Sequence, residues 1–494
     1  MLNWTGFRAA ESRNPAFMSM VRFARFLPAR WLIAMLLVGV GCANPDSTWT
    51  FRTQTPPPFS TPGEVIPPDR WWTSFNDPTL NAEIDVALQG NFTLAAALQR
   101  LYAARAVTRR EASDLWPDLN GVADYGSTMG PGRDRSSFIW GLDAGYQVDL
   151  WGEIESRVDA ERLRTSATRE DYHAIALTLT AEIARTWFSL IEGHAQIKLL
   201  NEQLDNNEMG LALQEARFAS GLIRSPDVLR QRQLVEATLE QIVVEKVRIE
   251  VLEHQLAVLL GEMPQAAEYD PGSILPPLPP LPSTGLPSEL LQRRPDVRRD
   301  YLAFRAADRD LASAISAQYP RINLTGSLLN VSESPETLFR DWFVSIGAQM
   351  IAPLFDGGQR RAEVDRNAAV KRELFNVYGQ TMLNAFSEVE DALAQERYQL
   401  ERIEHLENQV ELARQSSEQL REQYLISDAT YLDVLSAITA QQRLQRETLS
   451  AQLDLVLIRV SLYLALAGDF DTRPQDFELL ESTVEIIPET VVDE

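Results

Sequence analysis

From Gln359 to Leu425 the chain runs 67 residues without a proline, and Gly379 is the only glycine inside that span. Phe375, Met382, Val389, Ile403 and Val410 fall on one seven-residue register, and Tyr378, Ala385, Ala392, Leu406, Ala413 and Leu420 on a second. The two registers lie three and four residues apart, which is the a/d seam of a coiled coil. At 1.5 Å per residue such a helix reaches about 100 Å, a length that no single globule encloses. Glu153–Ala219 is equally long, with Leu177, Ala181, Ala184, Phe188 and Ile191 at alternating spacings of four and three. The sequence therefore predicts an elongated molecule built on very long helices.

The two long segments belong to a duplication. Trp116-Pro117-Asp118-Leu119 recurs as Tyr319-Pro320-Arg321-Ile322, and Val158-Asp159 recurs as Val364-Asp365. Phe218 to Gly221 with Pro226-Asp227-Val228-Leu229 recurs as Tyr424 to Ser427 with Leu432-Asp433-Val434-Leu435. The offset is 203 residues at the first pair and 206 at the others. So steady an offset marks one long unit copied once rather than a short solenoid repeat. The units are expected at 71–274 and 288–470, joined by the Pro-rich stretch 275–287.

Within each unit the period changes from that of a helix to two. Trp140, Leu142, Ala144, Tyr146, Val148 and Leu150 alternate with positions that include Asp143, Gly145, Gln147 and Asp149. Ile322, Leu324, Gly326 and Leu328 alternate with Asn323, Thr325 and Ser327, and Trp342, Val344, Ile346, Ala348 and Met350 with Phe343, Ser345, Gly347 and Gln349. With a less regular run before them, these predict strands at about 118–128, 138–150, 320–330 and 341–352, each long enough to cross a membrane at a tilt. Four strands cannot close a barrel, and hydrocarbon satisfies no open sheet edge; the smallest single-chain barrels have eight. Several chains must share one barrel, with Asp143, Gln147, Asp149, Asn323, Thr325, Ser327 and Gln349 facing water in its lumen. The fold class is thus mainly α with a small membrane β part.

Residues 1–41 carry Arg8, Arg13, Arg22, Arg25 and Arg30 against one acid, Glu11, and contain the ten-residue apolar run Trp31 to Val40. That is the length of a signal-peptide h-region and too short for a spanning helix. The small residues Gly39-Val40-Gly41 lead directly into Cys42, which resembles a bacterial lipoprotein processing site with Cys42 as the lipidated residue. Ala43 follows, and without an Asp there the resemblance implies sorting to the outer membrane. Residues 42–70, rich in proline, read as an extended tether, and 471–494 as an acidic C-terminal tail. Without residues 1–41 the chain holds 41 basic and 69 acidic residues, a formal charge of −28. Phosphate-tracking nucleic-acid binding needs the opposite sign. One cysteine permits no internal disulfide, and His173, His194, His254 and His405 lack metal-ligand spacing. No nucleophile, phosphate-loop or zinc motif appears either, so neither an enzyme nor a cofactor is expected. The apolar stretch Leu453 to Ala467 is broken by Asp454 and Arg459 and belongs to a packed helix.

Four motifs in order, Trp71-Trp72-Thr-Ser-Phe75-Asn-Asp77-Pro78-Thr-Leu80, Tyr146-Gln-Val-Asp149-Leu150-Trp151-Gly152, Arg293-Arg294-Pro295-Asp296-Val297-Arg298 and Pro353-Leu354-Phe355-Asp356-Gly357-Gly358, resemble those of the outer membrane factors of tripartite efflux pumps, of TolC and OprM type. The likeness covers nearly all of 66–470 and leans toward the lipid-anchored, NodT-like branch. It implies a homotrimer with a 12-stranded β-barrel and a coiled-coil α-barrel extending into the periplasm. It implies docking to a periplasmic adaptor and to an inner-membrane transporter of RND type, with export of drugs or other small molecules. A type I protein secretion duct is the alternative.

The same resemblance places the periplasmic gate near the helical turns. Asp433 stands where the family carries a constricting acidic residue, and Tyr424 and Asp227 match a tie between neighbouring helices. Ala429 and Ser436 depart from the pattern, at a basic latch and a second acid. The turns, with Gly221, Leu222, Ser427 and Asp428, are the expected adaptor-contact tips. Trp71 and Trp72 are expected to pack below the tether, and Pro295 to start a helix with Asp296 in its first turn.

Overall fold

The computed structural model describes residues 57–466 and 470, apart from 62, 64, 67, 129–134, 267, 335, 337, 427 and 428. The expected signal segment 1–41, the expected lipidation residue Cys42, most of the expected tether, Ser427, Asp428 and residues 471–494 lie outside the described residues.

After a 3-10 turn at Trp71–Phe75, the first unit comprises α1 (Pro78–Gly90), α2 (Phe92–Ser113), β1 (Asp118–Thr128), β2 (Arg135–Val148), α3 (Glu153–Ala219) and α4 (Ser225–Leu260). The second comprises α5 (Pro287–Arg293), α6 (Pro295–Ser316), β3 (Arg321–Ser332), β4 (Trp342–Ile351), α7 (Gln359–Leu425) and α8 (Tyr431–Leu466). Three helix pairs match in length between the copies. Helices α3 and α7 have 67 residues each, α4 and α8 have 36, and α2 and α6 have 22. Both 67-residue helices begin at a glycine in the left-handed region, Gly152 with φ 70° and Gly358 with φ 91°. Nothing lies within 4 Å of where either Cβ would sit, so the backbone turn from strand to helix, not crowding, calls for glycine.

The main core lies where the long helices meet the short ones. Trp71 and Trp72 are buried, Trp71 stacking on Tyr463 at 5.8 Å and Trp72 meeting Phe470 edge-on at 5.0 Å. Both indoles therefore serve packing. Asp77 joins two elements there: its Oδ1 caps α1 by accepting from the Thr79 and Leu80 amides at 3.0 Å, and its Oδ2 accepts from Trp187 Nε1 at 2.8 Å. The seam residues named on α3, Leu177 to Ile191, are buried in this cluster, and Ala385, Val389 and Ala392 of α7 pack in a second with Leu462 and Leu466 of α8.

Helices α3 and α8 contain windows long and apolar enough to cross a membrane by composition alone. Their burial shows otherwise for α8. Arg459, seven residues before the end of α8, is 2% exposed and forms a bidentate pair with Glu396 of α7, Nε to Oε2 at 2.8 Å and Nη2 to Oε1 at 2.7 Å. Its Nη1 donates to the Pro279 carbonyl, fastening the Pro-rich joint across the α7–α8 pair. Pro295 opens α6, and Asp296 in its first turn receives Arg294 at 2.7 Å while its Oδ1 accepts from the Val297 amide.

Candidate functional site

The strands form one antiparallel sheet in the order β1-β2-β3-β4. Its register decides what each face can do. Asn120, Asp143, Ser327 and Ser345 stand in one row across the four strands, and Gln147, Asn323 and Gln349 in another across three. Thr325 lies between Gly145 and Gly347 on the same face. Ser327 Oγ and Ser345 Oγ are hydrogen-bonded across the first row at 2.9 Å, and along β1 Asn120 Nδ2 donates to Asp118 Oδ2 at 2.9 Å. The opposite face carries Leu142, Leu328 and Val344 in one row and Val148, Ile322 and Met350 in another. Ile346 on that face is 89% exposed. Over these rows one surface is wet and the other greasy, as a pore wall in lipid requires, while toward the hairpin ends Leu329 and Phe343 share the wet face and Asn330 the greasy one.

One expected lumen residue is placed differently. Strand β2 ends at Val148, and Asp149 lies in the turn beyond it, where its Oδ2 accepts from the Glu155 amide at 2.7 Å. Asp149 therefore caps the first turn of α3, satisfying an amide that has no partner inside the helix. Alternation extended through Asp149 and Leu150 because an acid before a helix start reads the same as an acid facing a lumen.

The helical turns at the other end are built from local rules. At the end of α3 the Leu222 amide donates to the Arg217 carbonyl at 3.0 Å and the Gly221 amide to that of Phe218 at 2.9 Å. With φ at 72°, Gly221 completes a Schellman motif and leaves Leu222 69% exposed at the tip. Asp433, in the first turn of α8, accepts at Oδ2 from the Thr430 amide at 3.0 Å and from its hydroxyl at 2.6 Å. This reciprocal cap, hydroxyl first and amide second, holds the exposed Asp433 carboxyl below the usual aspartate range.

Tyr424 and Asp227 are not joined within one chain. The Tyr424 hydroxyl donates to Gln214 Oε1 of α3 at 3.1 Å, and the Arg217 guanidinium sits 4.6 Å above its ring. Asp227 instead pairs with Arg230 at 3.1 Å. The tie between helices thus runs from α7 to α3 through an amide. Beside it, buried Tyr431 donates to Gln231 Oε1, and Gln231 Nε2 donates to the Asn207 carbonyl at 2.6 Å.

These contacts end a longer seam that the sequence reading missed. Gln196, Gln203, Asn207 and Gln214 of α3 are buried at spacings of seven and four, where an apolar stripe would be expected. Gln196 Nε2 donates to Glu192 Oε1 at 2.8 Å, Gln203 Nε2 to Gln445 Oε1 at 3.0 Å, and Gln442 Nε2 to Asn207 Oδ1 at 2.9 Å. Arg446 Nη1 donates to Gln203 Oε1 at 2.7 Å. The recurrence of amides at heptad spacing was the available signal. Among the described residues no group of His, Cys, Asp or Glu is arranged to hold a metal ion.

The family model described as outer membrane efflux protein matches residues 84–262 and 286–468. The pyoverdine export outer membrane protein OpmQ of Pseudomonas aeruginosa is 29% identical over 82% of this chain and 88% of its own. The solvent efflux pump outer membrane protein SrpC of Pseudomonas putida is 30% identical over 80% and 86%. Among solved structures, the outer-membrane channel OprN superposes with a TM-score of 0.79 at 27% identity, covering 85% of this chain and 98% of that one. A CusC structure, whose title refers to transmembrane channel formation, gives 0.75 at 26% identity, covering 84% and 98%.

Proposed function

The chain belongs to the outer membrane efflux protein family, as an exit duct in the outer membrane, and from that premise we propose how it assembles and what it conducts. Three copies contribute four strands each to a 12-stranded barrel, and their long helices continue it as a tube into the periplasm. The observation that carries this reading is the open four-stranded sheet, wet on one face and greasy on the other, fused at both hairpins to helices of about 100 Å. Small molecules, including drugs, pass through passively. The first unit, 71–274, and the second, 288–470, are the two repeats of that wall, with 275–287 as their joint.

Lipidation at Cys42 holds each copy to the outer membrane through the tether 42–70. At the far end the turns bearing Gly221, Leu222, Ser427 and Asp428 meet a periplasmic adaptor, which links the duct to an inner-membrane transporter of RND type. Asp433, with Tyr424 and Asp227 nearby, guards the opening: three Asp433 carboxylates around an axis form a ring that attracts cations. Deleting the protein and challenging the cells with a panel of toxic compounds tests the transport reading, alongside a comparison of secreted proteins. Sensitivity to small molecules with an unchanged secretome is the expected result. Loss of a secreted protein with unchanged resistance would replace it with a protein-secretion duct.

A further inference from the structure

Both outer edges of the sheet, β1 and β4, are without a strand partner among the described residues, and the wall is completed only where copies meet. Resting on the trimeric reading above, the duplication specifies how they meet. Within the chain, β2 and β3 join the two units, with Val148 opposite Ile322 and Ala144 opposite Gly326, so paired numbers always total 470. The first hairpin pairs at a total of 263, Leu119 opposite Ala144, and the second at 672, Ile322 opposite Met350. The two totals differ by 409, which is the sum of the offset of 203 carrying β1 onto β3 and the offset of 206 carrying β2 onto β4. The hairpins therefore superpose in register, and the seam between units can be transferred to the seam between copies.

We propose that β4 of one copy pairs antiparallel with β1 of the next so that opposed residue numbers total 473. Met350 then faces Ala123, Ala348 faces Tyr125, and Gln349 faces Asp124 of the next copy. The greasy residues meet on the lipid side and the polar ones on the lumen side. A slip of one residue would turn Asp124 toward lipid, which the period of two forbids. A slip of two keeps the faces but breaks the repeat, so the duplication, not amphipathicity, selects this register. The exposures at these edges fit a partner: Met350 is 65% and Tyr125 61% exposed in the single chain. Leu354, which stands where β2 has Val148, is 95% exposed and comes to lie opposite Leu119, itself 66% exposed.

Directly opposed Cβ atoms lie about 5 Å apart and those two residues off about 7 Å, while a disulfide needs about 4 Å, so oxidation discriminates the registers. The full-length protein is purified from membranes as three double variants, Met350→Cys with Ala123→Cys, with Gly121→Cys or with Tyr125→Cys. Each is oxidised with copper phenanthroline, run on non-reducing gels after boiling, and weighed by native mass spectrometry. Covalent dimers and trimers at least tenfold more abundant for the Ala123 pair are expected. A trimer by mass in which another pair links best, or in which none links, overturns the register and leaves the assembly standing. A monomer by mass overturns the assembly as well.

Discussion

Replacing Glu396 with leucine removes both carboxylate oxygens that face the Arg459 guanidinium at 2.7 and 2.8 Å and, among the described residues, leaves that cation with only the Pro279 carbonyl. The side chains are 3% and 9% exposed, so water does not substitute for the lost partner. Breaking a buried pair from one side costs about 3–5 kcal/mol, because the remaining charge stays desolvated. A local loss of 3 kcal/mol corresponds to roughly a hundredfold faster opening, at about 1.4 kcal/mol per decade. Hydrogen exchange followed by mass spectrometry reads this directly in peptides covering 275–287 and 453–466. Glu396→Leu should speed exchange there by roughly a hundredfold. The double variant Glu396→Leu/Arg459→Met, which leaves no charge behind, should recover to within about tenfold of the parent. A single variant that exchanges at the parental rate, or a double variant as exposed as the single, would falsify the unpaired-charge reasoning.

Asp433→Ala should raise single-channel conductance in planar bilayers and weaken block by divalent cations; unchanged values remove the gate role. Because its folded pKa is depressed, the Asp433 carboxylate stays charged above that lowered value, so block should persist where an ordinary aspartate is already largely protonated and vanish only below. Loss of block near the ordinary aspartate pKa would contradict the cap geometry. Gly221→Arg should abolish drug export while trimers stay in the membrane, whereas Gly221→Ala, strained in the left-handed region by about 1 kcal/mol, should export normally. Equal export by both would remove the tip from the docking surface. Asp149→Asn should leave ion selectivity unaltered and Asp143→Asn should lower cation preference, as reversal-potential measurements report; a shift from Asp149 would return that residue to the lumen.

The long helices and the strands were legible because period speaks before chemistry does. Heptads over 67 residues and alternation over ten leave few alternatives, and the unbroken span Gln359 to Leu425 is the helix α7. What stayed hidden depends on which side chains meet. Gln203 and Asn207 drew no reading, since amides at heptad positions show their burial only when α8 and α4 are laid against them. Glu396 and Arg459 are 63 residues apart and no local pattern couples them. Asp149 failed for the opposite reason: a local rule existed, the cap of a following helix, and alternation overrode it. Within the chain Tyr424 donates to Gln214 rather than to Asp227, and Gln214 lies 210 residues away, beyond the reach of any local pattern.

The contrast between the two long contacts of α8 sets where the tunnel wall can yield. Against α7 it holds the apolar cluster of Ile403, Leu406, Leu444 and Ala451 and is pinned by the Arg459–Glu396 pair, so creep there uncovers methyl groups and strains a buried ion pair. Against α3, on the side of the turns, it is a ladder of carboxamides, whose hydrogen bonds can be exchanged for water without uncovering methyl groups. A leucine zipper remembers its position and a ladder of this kind forgets it. The α7–α8 hairpin should therefore travel as a rigid staff, sliding along α3 without unsealing the wall. Spin-label distances that changed between α7 and α8 but not between α3 and α8 on opening would show the reverse.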